Sequence, residues 1–244
     1  MKGVPSPFAP FTESRCPDWR CPSCYNQTLR IRAGTFHCRT SAASRKRLHL
    51  FLYDPDPSDV SYVFSCLLEC TRNECLETVA VSGEGWCEEK VKKSRGGIEA
   101  DVVEIFRAKS FVPPLPLFTE PEGCPQDVRE QLKVISSLLT FNYAAAANAI
   151  RRLLEILMKV MDVPQASSLY ERIRKGLEIF GDDVTAIHAL RAFGNAGSHG
   201  NEITRTDLED ACLVLEAVVK KFCHAAPDIS HVVERLEAAF RVQK

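Results

Sequence analysis

Phe111-Val-Pro-Pro-Leu-Pro-Leu-Phe118 divides the chain into two unlike halves. Closely spaced prolines fix φ and remove backbone donors, so the stretch is extended and not helical. Its interleaved Val112, Leu115, Leu117 and Phe118 suggest a segment lying on a surface, not a free tether. On its N-terminal side the chain is richer in Gly, Pro and β-branched residues. Cys16, Cys21, Cys24, Cys38, Cys66, Cys70, Cys75 and Cys87 all lie there, and only Cys124, Cys212 and Cys223 follow. On its C-terminal side, from about Pro125, the chain is rich in Ala, Leu, Glu, Lys and Arg and reads as helix after helix. The division is 1–110 as a small β-rich domain, 111–124 as a proline-rich connector and 125–244 as an all-α bundle, an α+β fold.

The whole chain bounds these halves. It has 244 residues, 45% hydrophobic and 26% charged, which excludes a disordered or collagen-like protein. No apolar run reaches the roughly 18 residues that a membrane span needs, and no signal peptide is visible, so the expectation is a cytoplasmic protein. An odd number of cysteines, 11, in such a chain argues for thiols or metal and against a disulfide framework.

In the first half, Leu48-His-Leu-Phe-Leu-Tyr53 and Tyr62-Val-Phe64 read as strands, with Asp54-Pro-Asp-Pro-Ser58 a turn or loop between them. Thr78-Val-Ala-Val81 is a third strand, ended by Ser82-Gly83. In the second half, Asn142 to Met161 is the strongest helix, with Tyr143, Ala147, Ile150, Leu154, Leu157 and Met161 on one apolar face. Ser168 with Glu171 forms a capping box, and Leu169, Ile173 and Leu177 continue one stripe. Asp182 or Asp183 caps Val184 to Phe193. Thr206 with Glu209 forms a second capping box, before a run to about Cys223. Pro227 opens a last helix.

Cys21-Pro-Ser-Cys24 and Cys70-Thr-Arg-Asn-Glu-Cys75 each place two thiols on one tight turn, and two such turns complete a tetrahedral zinc site. A closed site of this kind is structural, and a small segment gains much of its fold from the metal. Cys16, Cys38, Cys66, Cys87 and His37 are near in sequence and offer other ligands, and Cys66 with Cys70 has helix spacing. From Met1 to Tyr53 there are nine Lys/Arg against Glu13 and Asp18, an excess of seven positive charges hidden by the overall net charge of −1. Arg30, Arg32, Arg39, Arg45, Lys46 and Arg47 are the residues read as phosphate contacts for RNA or DNA, against the bland reading of a solvated surface.

Ala189-Leu-Arg-Ala-Phe-Gly-Asn-Ala-Gly-Ser-His-Gly200 is the remaining motif. Its glycines are read as ending a helix and allowing close backbone approach. Asn195 and His199 are four apart, so they form either a polar site or a helix cap.

The ordered set of motifs resembles the prokaryotic family called domain of unknown function 4145. Cys70-Thr-Arg-Asn-Glu-Cys-Leu-Glu-Thr-Val-Ala-Val-Ser-Gly83 is similar to its second zinc knuckle and following strand. Phe111 to Phe118 with Cys124-Pro125 is similar to its connector. Ala145-Ala-Ala-Asn-Ala-Ile-Arg-Arg-Leu-Leu-Glu155 and Gly194-Asn-Ala-Gly-Ser-His199 are similar to its central helix and closing motif. The resemblance implies a zinc-ribbon-like head with structural Zn2+ and a bundle related to the HEPN superfamily. It also implies a restriction or anti-phage defence context with a partner protein. Many HEPN proteins are metal-independent endoribonucleases that act as homodimers, with an Arg followed after four to six residues by a His; here Arg191 and His199 have seven between them. Asn195 and His199 carry over from the closing motif, and Arg151 and Glu155 from the central helix.

Two readings follow. One is a zinc-binding, nucleic-acid-associated interaction protein. The other is a ribonuclease in which the 2′-OH attacks the adjacent phosphate. His199 then serves as base or acid, and Arg191 or Arg151 stabilises the phosphorane charge. RNA incubated in EDTA with wild type and with His199→Ala separates them. A ribonuclease leaves cyclic phosphate ends with wild type alone, whereas an interaction protein leaves the RNA intact in both tubes.

Overall fold

The computed structural model describes residues 6–50, 56–94, 97–198, 202–223 and residue 235. Its N-terminal half is a curled antiparallel sheet and its C-terminal half is helical. The strands are β1 (Leu29–Ile31), β2 (His37–Thr40), β3 (Ser61–Cys70), β4 (Thr78–Ser94) and β5 (Gly97–Val112). The order is β1-β3-β4-β5, and β2 pairs with β3 as well, further along the same edge.

One face of the sheet holds the first core. Phe64, Cys66, Leu68 and Cys70 alternate inward from β3 and meet Val79 and Val81 of β4 and Phe106 and Ala108 of β5. Phe11 and Trp19, from the segment before β1, close this core. The Phe11 ring lies edge-on to Trp19 and to Phe64, with centroids 5.4 Å apart in each pair. Phe106 fits because Gly85 faces it: a Cβ there would sit 2.5 Å from the ring. β3 ends opposite Trp86, so beyond that point β4 and β5 continue as a two-stranded ribbon among the described residues.

Two strand expectations are corrected here. Leu48 to Leu50 are not strand; they end helix α1 (Ala42–Leu50). Ser41 starts that helix by accepting from the Ser44 N–H at 3.1 Å, and this local cap overrides the strand propensity downstream. The rest of that expected strand, 51–53, lies outside the described residues. Of the expected turn, Pro57–Asp59 form a short 3-10 helix. Ser82-Gly83 does not end β4. It marks a bulge, where Ser82 faces Ser110 and Gly83 faces Ala108, so Lys109 is the extra residue and the ladder continues.

The helices are α2 (Gln126–Leu139), α3 (Tyr143–Val160), α4 (Leu169–Lys175), α5 (Leu177–Phe180), α6 (Val184–Ser198) and α7 (Arg205–Phe222). α3 is the centre of the bundle. Asn142 caps it by accepting from the Ala145 N–H at 3.0 Å, and Ala146, Ala147, Ile150, Leu153, Leu154 and Leu157 are buried. Gly194 and Gly197 do not end α6; they lie within it. A Cβ on Gly194 would come within 2.6 Å of Arg151 Cβ, and one on Gly197 within 2.6 Å of the Ala144 carbonyl. The close approach is therefore that of α6 to α3.

Other helix boundaries differ from the pattern reading. Ser168 does cap α4, accepting from the Glu171 N–H at 3.2 Å. Gly176 then breaks the stripe, so Leu177 is left exposed while Leu169 and Ile173 are buried. Asp182 and Asp183 lie in a 3-10 turn, Gly181–Asp183, and Asp183 pairs with Lys221. The capping box of α7 is Thr204 with Asp207, not Thr206 with Glu209. Glu209 instead holds Arg205 and the Ser6 hydroxyl. The helix expected from Pro227 lies outside the described residues.

The N-terminal arm joins the two halves. Phe8 packs in the helical core, edge-on to Tyr143 at 5.8 Å and beneath the Arg205 guanidinium, while Phe11 belongs to the sheet core. The proline-rich segment is shared in the same way, with Leu115 in the sheet core and Phe118 in the helical one.

The cap assignment is testable by urea denaturation. Thr204→Ala should cost about 1 kcal/mol, because it removes the acceptor of the Asp207 N–H, whereas Thr206→Ala should be near neutral. Hydrogen bonds from the Thr204 side chain and backbone hold the Asp207 carboxyl below its usual range. Its share of the cap is thus present above the ordinary carboxylate pKa and is lost as the pH falls through the lowered value.

Candidate metal centre and its surroundings

Pairing of β1 with β3 builds the metal centre. Leu29 faces Cys70, so the turn that precedes β1 is brought beside the turn that follows β3. The first turn closes when the Tyr25 N–H donates to the Cys21 carbonyl at 2.9 Å; the second closes when the Cys75 N–H donates to the Arg72 carbonyl at 2.9 Å. The residue after each turn, Tyr25 (φ 60°) and Leu76 (φ 49°), adopts the left-handed conformation. Thr71 N–H to Thr28 carbonyl, at 3.0 Å, ties the two turns together.

The Sγ atoms of Cys21, Cys24, Cys70 and Cys75 all lie within 4.8 Å of one another. Cys21 and Cys75 are 3.6 Å apart, and Cys24 and Cys70 are 3.7 Å apart. A regular tetrahedron with metal–sulfur bonds of about 2.3 Å has edges of about 3.8 Å, so these separations suit a four-sulfur site. They are far longer than a disulfide bond of about 2.05 Å. Cys21 and Cys70 are fully buried, while Cys24 and Cys75 are half-buried. The set can hold a metal ion such as zinc, with all four positions filled by protein.

Without a cation the thiols are unequal. Burial, with the neighbouring thiols, pushes Cys21 up to about 12. Burial also opposes ionisation of Cys24, but hydrogen bonds from Asn26 and the thiols of Cys70 and Cys21 outweigh it and hold Cys24 at about 6. A divalent ion would supply the charge that lets the buried Cys21 thiol ionise.

The alternative ligands are elsewhere. Cys16 donates to the Leu29 carbonyl at 3.6 Å inside the sheet core, Cys66 is buried on β3, and Cys87 contacts the Tyr62 hydroxyl at 3.7 Å. Cys38 lies opposite Phe64 on the core face, and His37 is exposed on the other face. Among the described residues no further group of three or more His, Cys, Asp or Glu converges in this way.

Arg30, Arg32, Arg39, Arg45, Lys46 and Arg47 are all exposed. Arg30 pairs with Asp18 at 2.9 Å and Arg47 with Asp59 at 3.3 Å. Arg32, Arg39, Arg45 and Lys46 make no ion pair and no side-chain hydrogen bond among the described residues. Two further cations escaped the pattern reading. Arg107 stacks over the Trp86 ring at 4.8 Å, and Lys109 pairs with Glu84 at 3.0 Å. They sit on the late strand β5, whose length nothing in the composition announces.

In the bundle, Arg151 and Asn195 do meet. The Arg151 guanidinium donates to Asn195 Oδ1 at 2.6 Å across the α3–α6 crossing, with Glu155 3.9 Å away on the other side. Arg191 turns instead to α4, where its guanidinium lies 5.1 Å from the Tyr170 ring centroid and its Nε is buried without a hydrogen-bond partner. His199 lies outside the described residues. Arg151 and Glu155 also line a polar cleft of about 750 Å³ between α2, α3 and the α3–α4 loop.

Comparison with known families divides the chain at the same place as its architecture. Residues 133–240 match the family model described as Domain of unknown function (DUF4145). The DUF4145 span begins inside α2, so it holds Arg151, Arg191, Asn195 and His199 but none of the metal-centre cysteines. Residues 9–111 match a different model, Domain of unknown function (DUF8608), which holds all four of those cysteines and the sheet. The stretch from Cys70 to Gly83 therefore falls in the DUF8608 span and not in the DUF4145 one. No curated protein and no solved structure matches the chain. Among the described residues no helix is long and apolar enough to cross a membrane.

Metal analysis of the purified full chain checks the ligand set. Wild type is expected to carry one zinc per chain. Cys70→Ser should lose it along with much of the head's stability, whereas Cys16→Ser should keep it.

Proposed function

We propose that this chain is a zinc-binding, nucleic-acid-associated interaction protein, with a zinc-ribbon-like head carried by a HEPN-like bundle. The observation that carries the reading is the closed four-cysteine cluster, with all four sulfurs within 4.8 Å of one another. Four protein sulfurs leave no open position for a substrate, so the metal holds two turns together and does no chemistry. In the same half of the chain, Arg32, Arg39, Arg45 and Lys46 are exposed cations that make no ion pair among the described residues, which suits contact with phosphates. The defence context, a partner protein and the homodimer belong to this reading through the family resemblance.

A second reading, a ribonuclease, draws on the Arg151–Asn195 hydrogen bond. That contact places a cation beside the segment that leads to His199. Arg191, one turn before Asn195 on α6, would then serve the phosphate after leaving Tyr170.

Binding of labelled RNA and DNA by the zinc-loaded full chain tests the first reading. Affinity should fall linearly on a log–log plot as salt rises, by about one logarithmic unit per phosphate contact per tenfold salt. Absence of binding to either nucleic acid at low salt would remove it.

A further inference from the structure

The face of the sheet turned away from the aromatic core is organised in rows that run across the strands. One row is His37, Ser65, Ser82 and Ser110, adjacent on β2, β3, β4 and β5. The three serine hydroxyls make no hydrogen bond among the described residues. Beside this row on one side run Leu67, Ala80 and Val112, and Val112 is 63% exposed. Beside it on the other side run Arg39, Val63, Glu84 and Arg107. A shallow cleft of about 270 Å³ follows the serine and apolar rows, with Thr35 at its edge.

The charges on this face are arranged for an anion. Glu84 is neutralised by Lys109, which the bulge at Ser82/Gly83 frees to reach it. Glu69 lies beyond the apolar row, opposite Arg30. Arg39 has no acidic partner among the described residues, and Arg107 Nε is buried without a hydrogen-bond partner. Free hydroxyl donors thus lie between a row carrying two guanidinium groups and a row of small apolar side chains.

We propose that this face binds single-stranded nucleic acid, with phosphates on the serine row and the Arg39 side, and bases on Leu67, Ala80 and Val112. The proposal rests on the nucleic-acid reading above and names its surface. Adjacent strands are about 4.8 Å apart, so the three serines span about 10 Å, enough for one or two nucleotides. A duplex hides its base faces and would leave the apolar row without an occupant. An unpaired strand offers phosphates and base faces side by side.

The test is fluorescence anisotropy with the zinc-loaded full chain. The probes are labelled oligouridylate, oligothymidylate and a mixed-sequence duplex at low salt. Ser82→Glu puts a carboxylate in the middle of the row at an exposed position and should weaken single-strand binding by about tenfold or more. Arg39→Glu should do the same and serves as the independent variant should Ser82→Glu not fold, which zinc content and circular dichroism report. Ser137→Glu, on the exposed side of α2, should bind like wild type. Undiminished binding by folded Ser82→Glu and Arg39→Glu, or a duplex bound as tightly as the single strands, would overturn the proposal and leave nucleic-acid binding itself standing. Failure of wild type to bind any probe would instead bring down the functional reading on which the proposal rests.

Discussion

Four sulfurs within 4.8 Å of one another are the constraint around which the N-terminal half is arranged. Ionised together they would repel, and protonated together they are held only by weak thiol hydrogen bonds. A divalent cation would resolve both problems, and the local backbone brings the four sulfurs to a spacing that could hold one. Both turns use a left-handed residue, and the β1–β3 ladder sets their separation. The second turn also joins β3 to β4, whose pairing starts at Glu69 with Thr78 directly after it.

The order of a sheet followed by helices, the convergence of the four cysteines and the central helix were legible in the residues. Paired spacing in tight turns is a local property, and so is the apolar period of α3. What escaped reading was set by distant partners. The length of β4 depends on a bulge that turns Ser82-Gly83 from a stop into a bend. Leu48 to Leu50 look like strand in isolation, yet they follow a Ser41 cap that commits them to helix. Thr206 and Glu209 had the spacing of a capping box, but Glu209 is engaged by Ser6 and Arg205, and Thr204 with Asp207 takes the cap. The serine row was invisible for the same reason, since its members come from three strands and only register aligns them.

The glycine-rich stretch shows how one composition serves two readings. Gly194 and Gly197 suggested a helix end and a polar loop. They are instead the contact that lets α6 lie close on α3, and that closeness is what brings Asn195 within reach of Arg151. A helix–helix packing requirement, at Gly194 and Gly197, and a candidate polar contact, at Asn195, thus fall in one short stretch, so the presence of the motif alone does not separate structure from chemistry.

The short arm that carries Phe8 and Phe11 has a mechanical meaning. Two aromatic side chains three residues apart are buried in two different cores, so the arm acts as a rivet across the seam. Torque applied to the sheet is passed to the bundle through a few bonds of backbone that cannot stretch. The sheet core and the helical core therefore cannot part at this seam without drawing one of the two rings out of its packing. The two halves, matched by separate family models, are pinned to each other in this chain by a three-residue step.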